Sequence, residues 1–236
     1  MLKNSFILAI LIAFSLIFVN LFISFNGNEE LSTLGKYYAE NGASEVGAQN
    51  LVTSIVVTYR GIDTLGEVVI LFLTAAIIGF FLKVTNNKKD ENKRKDKIRP
   101  ASEILQTGAQ ALVPLIFLFG IYIFINGHLT PGGGFQGGAV IATAFVLMLL
   151  ANPTQKVKHG VIAFVESISG FSFVIVGILG IFLAGGFLDN HILSLGTFGE
   201  ILSAGGIPII YSFVGLKVGA ELSGIIGSFN EVQAEK

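Results

Sequence analysis

The chain has 236 residues, of which 52% are hydrophobic and only 13% charged, with a formal net charge of −1. Soluble domains carry about 25% charged residues, so this composition excludes an ordinary water-soluble domain and implies lipid as the solvent. With no cysteine and only three histidines, far apart in the chain, it also excludes disulfides and cysteine-ligated iron–sulfur or zinc centres, and it offers no clustered ligands for a metal.

The first predicted element is an apolar run from Phe6 to Phe25, interrupted by Asn20. Its length matches the roughly 20 residues that span a bilayer. No small-x-small cleavage site follows, so it is expected to be a retained helix rather than a signal peptide. A polar stretch from Asn26 to Arg60 comes next, with Glu29, Glu30, Glu40 and Glu45 against only Lys36 and Arg60.

The second spanning helix is expected over Leu65–Val84, opened by Gly61-Ile-Asp-Thr-Leu-Gly-Glu67. Asp63 and Glu67 are four apart and share one helical face. Thr64 and Glu67 also match a capping box. Capping accounts for Thr64 and Glu67 but not for Asp63, so cation or proton handling and pure capping both stand. The segment Lys83–Arg99 carries eight Lys or Arg, which the positive-inside rule puts in the cytoplasm. It ends at Pro100 and reads as a linker, with anionic lipid or a partner protein as further readings beyond a solvated topology signal.

A third helix is predicted over Gly108–Ile125 and a fourth over Phe135–Ala151, joined by Asn126-Gly-His-Leu-Thr-Pro-Gly-Gly-Gly-Phe-Gln-Gly-Gly138. No strand precedes this loop and no G-K-[ST] follows, so it is not a phosphate loop. The glycines after Pro131 instead predict non-helical backbone at membrane depth, packed in protein or lining a polar cavity. His128 is the titratable group there.

The short loop with Lys156, Lys158 and His159 leads to a fifth helix over Val161–Leu183, which holds Glu166 near its start. The sixth is expected over Glu200–Ile226, and Thr197-Phe-Gly-Glu200 repeats the pattern of Thr64-Leu-Gly-Glu67. Within it, Lys217 and Glu221 have the i,i+4 spacing of an ion pair. Interfacial placement and a proton or cation relay with Glu166 are the two readings of these charges. Gly215 and Gly219 form a GxxxG pair, read as packing within the bundle rather than dimerisation. The expectation is an all-α integral membrane protein of about six transmembrane helices. Loop charges put both termini in the cytoplasm.

The run GHLTPGGGFQGGAVIA, with Gly215-Leu-Lys-Val-Gly-Ala in the last helix, resembles the MnhB subunit of the Mrp-type multisubunit sodium/proton antiporters, over about Arg99 to Gly227. Tyr59-Arg-Gly-Ile-Asp-Thr-Leu-Gly-Glu67 resembles the C-terminal end of the antiporter's large MnhA subunit, and the small MbhE subunit of membrane-bound hydrogenases. The resemblance implies a two-helix unit (1–84), a basic cytoplasmic linker (85–99) and a four-helix MnhB-like domain (100–236). It implies a transport subunit of the cell membrane, without catalytic residues, cofactor or resident metal, that helps form a Na+ or H+ path. Implied partners are other antiporter subunits, hydrogenase or related oxidoreductase subunits, and lipid, with no nucleic acid. The alternative is a structural subunit whose ion path runs elsewhere. Asp63 and Glu67 match the acidic motif of that path, and His128, Thr130, Pro131, Gly132, Gly133, Gly134, Phe135 and Gln136 match the MnhB loop. Glu166, Lys217 and Glu221 complete the candidate ion pathway.

Overall fold

The computed structural model describes residues 2–24, 31–86, 101–153 and 157–234. Glu29, Glu30, Lys156 and nearly all of the basic linker lie outside the described residues. Among the described residues, eight α-helices follow in order: α1 Leu2–Ser24, α2 Thr33–Val46, α3 Leu51–Thr53, α4 Gly61–Asn86, α5 Glu103–Ile125, α6 Gly134–Ala151, α7 His159–Leu183 and α8 Ile207–Ala234. Six of them, α1 and α4 to α8, are long and apolar enough to cross a membrane. There is no strand among the described residues, as expected where lipid leaves unpaired backbone no partner. The chain is a multi-pass, all-α membrane protein.

Two compact units divide the chain at residues 37 and 38. The first contains α1, which has no polar face, the pattern of a helix surrounded by apolar material. The second holds everything from residue 38 onward, and α8 is its centre, packed against α4, α5, α6 and α7.

Small residues let these helices approach. A Cβ added at Gly138 of α6 would stand 2.7 Å from the carbonyl oxygen of Gly215 and 2.9 Å from the amide of Gly219 on α8. One added at Gly137 would stand 2.6 Å from the carbonyl of Gly120 on α5. Backbones therefore touch without intervening side chains, the packing mode available where lipid supplies no hydrophobic drive. The Gly215/Gly219 pair serves packing inside the bundle, as its sequence suggested.

Two boundaries differ from expectation. The second spanning helix begins at Gly61, because a π-helical turn over Ser54–Tyr59 carries the chain directly into it. Thr64 thus lies inside α4, and its hydroxyl donates back to the Val56 carbonyl at 2.7 Å. The expected capping box is not formed. The last helix begins at Ile207 rather than Glu200. Residues 196–206 form an irregular run of bends and turns, with Gly196, Gly199 and Gly205 all at positive φ, so Thr197 and Glu200 do not cap a helix. Residues 31–60, read as a loop, contain α2, α3 and the π-helical turn.

Candidate functional site

The expected ion-pathway residues fall into three places. The first is the start of α4. Asp63 forms an ion pair with Arg60, three residues before it, and both side chains are at least half exposed. Glu67 is exposed on the same face. Both carboxylates are exposed, and Glu67 is near enough to the buried Tyr211 hydroxyl of α8 to interact with it electrostatically.

The second place is the glycine-rich loop between α5 and α6. Asn50, the N-cap of α3, fastens it: its side-chain amide donates to the carbonyls of Gly127 at 2.9 Å and Thr130 at 3.0 Å. The Asn50 backbone N–H donates to the His128 carbonyl at 3.0 Å. The Thr53 hydroxyl also donates to Gly127, at 2.7 Å, and accepts from the Tyr211 hydroxyl at 3.0 Å. The glycines are required by contact and by conformation. A Cβ at Gly127 would meet the Tyr211 ring at 2.6 Å, and Gly132 and Gly133 have φ of 154° and 153°, a region essentially confined to glycine. Pro131 and Gln136 are exposed, Thr130 is half-buried, and Phe135 packs against the core. Gly134 opens α6 against Val214.

His128 is fully buried. Its Nε2 lies 3.2 Å from the Glu200 carbonyl, an atom that only accepts, so Nε2 carries the proton. Nδ1 has no partner. Burial holds the pKa below its usual 6.5, against backbone acceptors that favour the charged ring. His128 thus acts as a neutral bolt joining the glycine-rich loop to the turn before α8. Asn190 does the same for the neighbouring turn, donating to the carbonyls of Val46 at 2.8 Å and Ala204 at 3.1 Å.

The third place is inside the bundle. Lys217 stands close to the midpoint of the Ile207–Asn230 span, about 15 Å from its start at 1.5 Å per residue. Its Nζ is 3.4 Å from Glu221 Oε1 and 3.8 Å from Glu166 Oε1. The Glu221 side chain is fully buried, and its Oε2 has no hydrogen-bond partner. The Phe72 ring of α4 lies under the ammonium, 5.1 Å from Nζ to centroid. Gly170, one turn beyond Glu166, leaves room for the lysine stem: a Cβ there would come within 3.2 Å of Lys217 Cδ.

Three helices therefore converge on one ammonium. A cavity of about 230 Å³ adjoins it, reaching both carboxylates and extending to His159 and Ser228. The i,i+4 pairing was readable from the sequence. Lys217 and Glu221 are buried near the middle of α8 rather than at its end, because the helix starts at Ile207 and runs on to Ala234. Asn50, Thr53, Tyr211, Phe72 and Gly170 were missed. Asn50 before an apolar run is an N-cap signal, but nothing local announces that its amide reaches Gly127. Among the described residues no group of three or more His, Asp or Glu could hold a metal ion.

The family described as "Domain related to MnhB subunit of Na+/H+ antiporter" matches residues 104–224, and the MbhE family, the E-type component of MBH, matches residues 3–110. A protein of Methanocaldococcus jannaschii described as uncharacterized is 32% identical over 196 residues, covering 74% of each chain. The B-type subunit of the Na(+)/H(+) antiporter of Bacillus subtilis is 44% identical over 55 residues, covering 23% of this chain and 38% of that one. Among solved structures, a chain of the membrane-bound sulfane sulfur reductase, an archaeal respiratory membrane complex, is 38% identical. It superposes with a TM-score of 0.79, over 97% of this chain and 98% of that one.

Proposed function

The chain belongs to the family of domains related to the MnhB subunit of Na+/H+ antiporters, and from that premise we propose that it is a transport subunit of a Mrp-type cation/proton antiporter module. It acts in the cell membrane, with both termini in the cytoplasm, as part of a stand-alone antiporter or of an energy-converting respiratory complex. Its partners are the other membrane subunits of that complex, and its cargo is Na+ or H+. The two-helix unit, the basic linker and the MnhB-like domain are its three parts. It needs no catalytic residue and no resident cofactor.

One observation carries this reading: an ammonium and two carboxylates are held together beside the middle of the α8 span, with one carboxylate oxygen left unpaired. A charge there costs at least ~2.5–3.5 kcal/mol. A bundle needing only stability would do as well with apolar side chains of similar volume. Asp63 and Glu67 are exposed, which suits carboxylates that complete an ion route against a neighbouring subunit. The clamped glycine-rich loop gives the route a rigid end.

The test is Na+-dependent proton exchange in vesicles containing the whole complex, comparing wild type with Glu221→Gln and Glu67→Gln. Loss of exchange in a fully assembled complex is the expected result for Glu221→Gln. Unchanged exchange in both variants, with normal assembly, would make the chain a structural subunit.

A further inference from the structure

We propose that the Glu166–Lys217–Glu221 cluster is a one-proton site: Glu221 takes up and releases the proton, and Lys217 steadies the carboxylate left behind. The proton arrives along the cavity between α4 and α7. This rests on the transport reading above and names the cargo at that site.

Charge counting comes first. Two carboxylates face one ammonium, so the cluster is neutral only when it holds one further positive charge. Titratable groups reach Glu221 from two helices, Lys217 on its own and Glu166 on α7. On this side α4 contributes Phe72, Ala75 and Ala76, none of them ionisable. The extra charge is therefore settled within the cluster.

Geometry assigns it to Glu221. Its Oε1 faces the ammonium, while its Oε2 is buried without a partner, so Oε2 is the atom left to bind a proton. Lys217 cannot follow the proton away. Its stem is lodged over Gly170 and its head lies over Phe72.

A metal cation fits poorly. Hard cations take a full shell of oxygen ligands. Here the ammonium already occupies the position between the two carboxylates, and most of the cavity wall is apolar. The Ser228 hydroxyl is turned back to the Gly224 carbonyl at 3.0 Å. A proton needs one lone pair and a file of waters. The cavity has that room, since a water takes about 30 Å³. Its polar markers sit two turns from each carboxylate: His159 before Glu166 on α7, and Ser228 after Glu221 on α8. Both lie toward the end of the bundle where α7 begins and α8 ends.

Dicyclohexylcarbodiimide tests this on the intact complex in detergent. A protonated carboxyl adds across its C=N bond, the proton going to nitrogen and the oxygen to carbon. Acyl transfer then leaves a stable N-acylurea that peptide mass spectrometry locates. The expected result is an adduct on Glu221 that fades as pH rises, is indifferent to NaCl at fixed pH, and is absent in Glu221→Gln. Lys217→Met should raise labelling at alkaline pH roughly tenfold, the equivalent of about 1.4 kcal/mol of lost charge stabilisation. No adduct on Glu221 at any pH, or protection by Na+ at constant pH, would overturn the proposal. Exchange and labelling fail separately. Normal labelling with undiminished exchange in Glu221→Gln would leave a proton site off the transport route. Abolished exchange with sodium-protected labelling would keep the route and change its cargo.

Discussion

Replacing Lys217 by Met probes the buried cluster most directly. The thioether side chain keeps nearly the length and apolar stem of lysine, so contacts over Gly170 survive while the ammonium is lost. Glu221, with a fully buried side chain, then has neither oxygen partnered. Removing one member of a buried pair costs up to about 3–5 kcal/mol, because a charged Glu221 is then stranded and must take up a proton to relieve it. At roughly 2–4 °C per kcal/mol for a chain of this size, the unfolding midpoint of the complex in detergent should fall by about 6–20 °C near neutral pH. Adding Glu221→Gln removes the stranded charge. The double variant should recover much of the loss, with a coupling of about 1–3 kcal/mol. Glu166 enters weakly, since it is farther from Nζ and partly exposed. A single-variant shift below about 2 °C, or a double-variant loss equal to the sum of the singles, would refute the reasoning.

Asn50→Ala should destabilise the complex by about 1–3 kcal/mol, since it takes the side-chain donor from the Thr130 carbonyl, leaves Gly127 with the Thr53 hydroxyl alone and removes a helix cap. Ion selectivity should be unchanged, as measured by exchange assays with varied cations. His128 supplies a pH dependence. Its folded pKa lies below the usual 6.5 because of burial, so the unfolded chain binds more protons just under that value. Stability is therefore complete above about pH 6.5 and declines as pH falls below it. His128→Gln should flatten that part of a stability–pH profile, and an unchanged slope would count against a buried neutral ring. Gly138→Ala should cost about 1–3 kcal/mol by forcing α6 from α8, whereas Gly108→Ala, with nothing within 4 Å, should be neutral or slightly stabilising in a thermal melt.

Where local chemistry was sufficient, the sequence was read correctly. Gly108–Ile125, Phe135–Ala151 and Val161–Leu183 were expected, and the helices found begin earlier, at Glu103, Gly134 and His159, and end at the same residues. Errors arose where long-range packing reset a boundary. A capping box at Thr64 and Glu67 was one of two open readings because T-x-x-E is a local pattern, but the π-helical turn before it supplies a different acceptor. Glu200 was read as a helix start, yet the chain turns through positive-φ glycines until Ile207. Asp63 and Glu67 were rightly expected to share a face. Their exposure depends on how α4 is rotated against α8, which no local pattern encodes.

Lipid as solvent, the number of crossings and the i,i+4 pairing of Lys217 with Glu221 follow from the sequence alone, because each depends on the length or spacing of a single segment. Tertiary structure decided which charges meet. Glu166 and Gly170 of α7 and Phe72 of α4 reach Lys217 only because of how those two helices are rotated where they pack against α8. That rotation is a property of whole pairs of surfaces, and it determines whether a carboxylate faces another subunit or is enclosed with an ammonium.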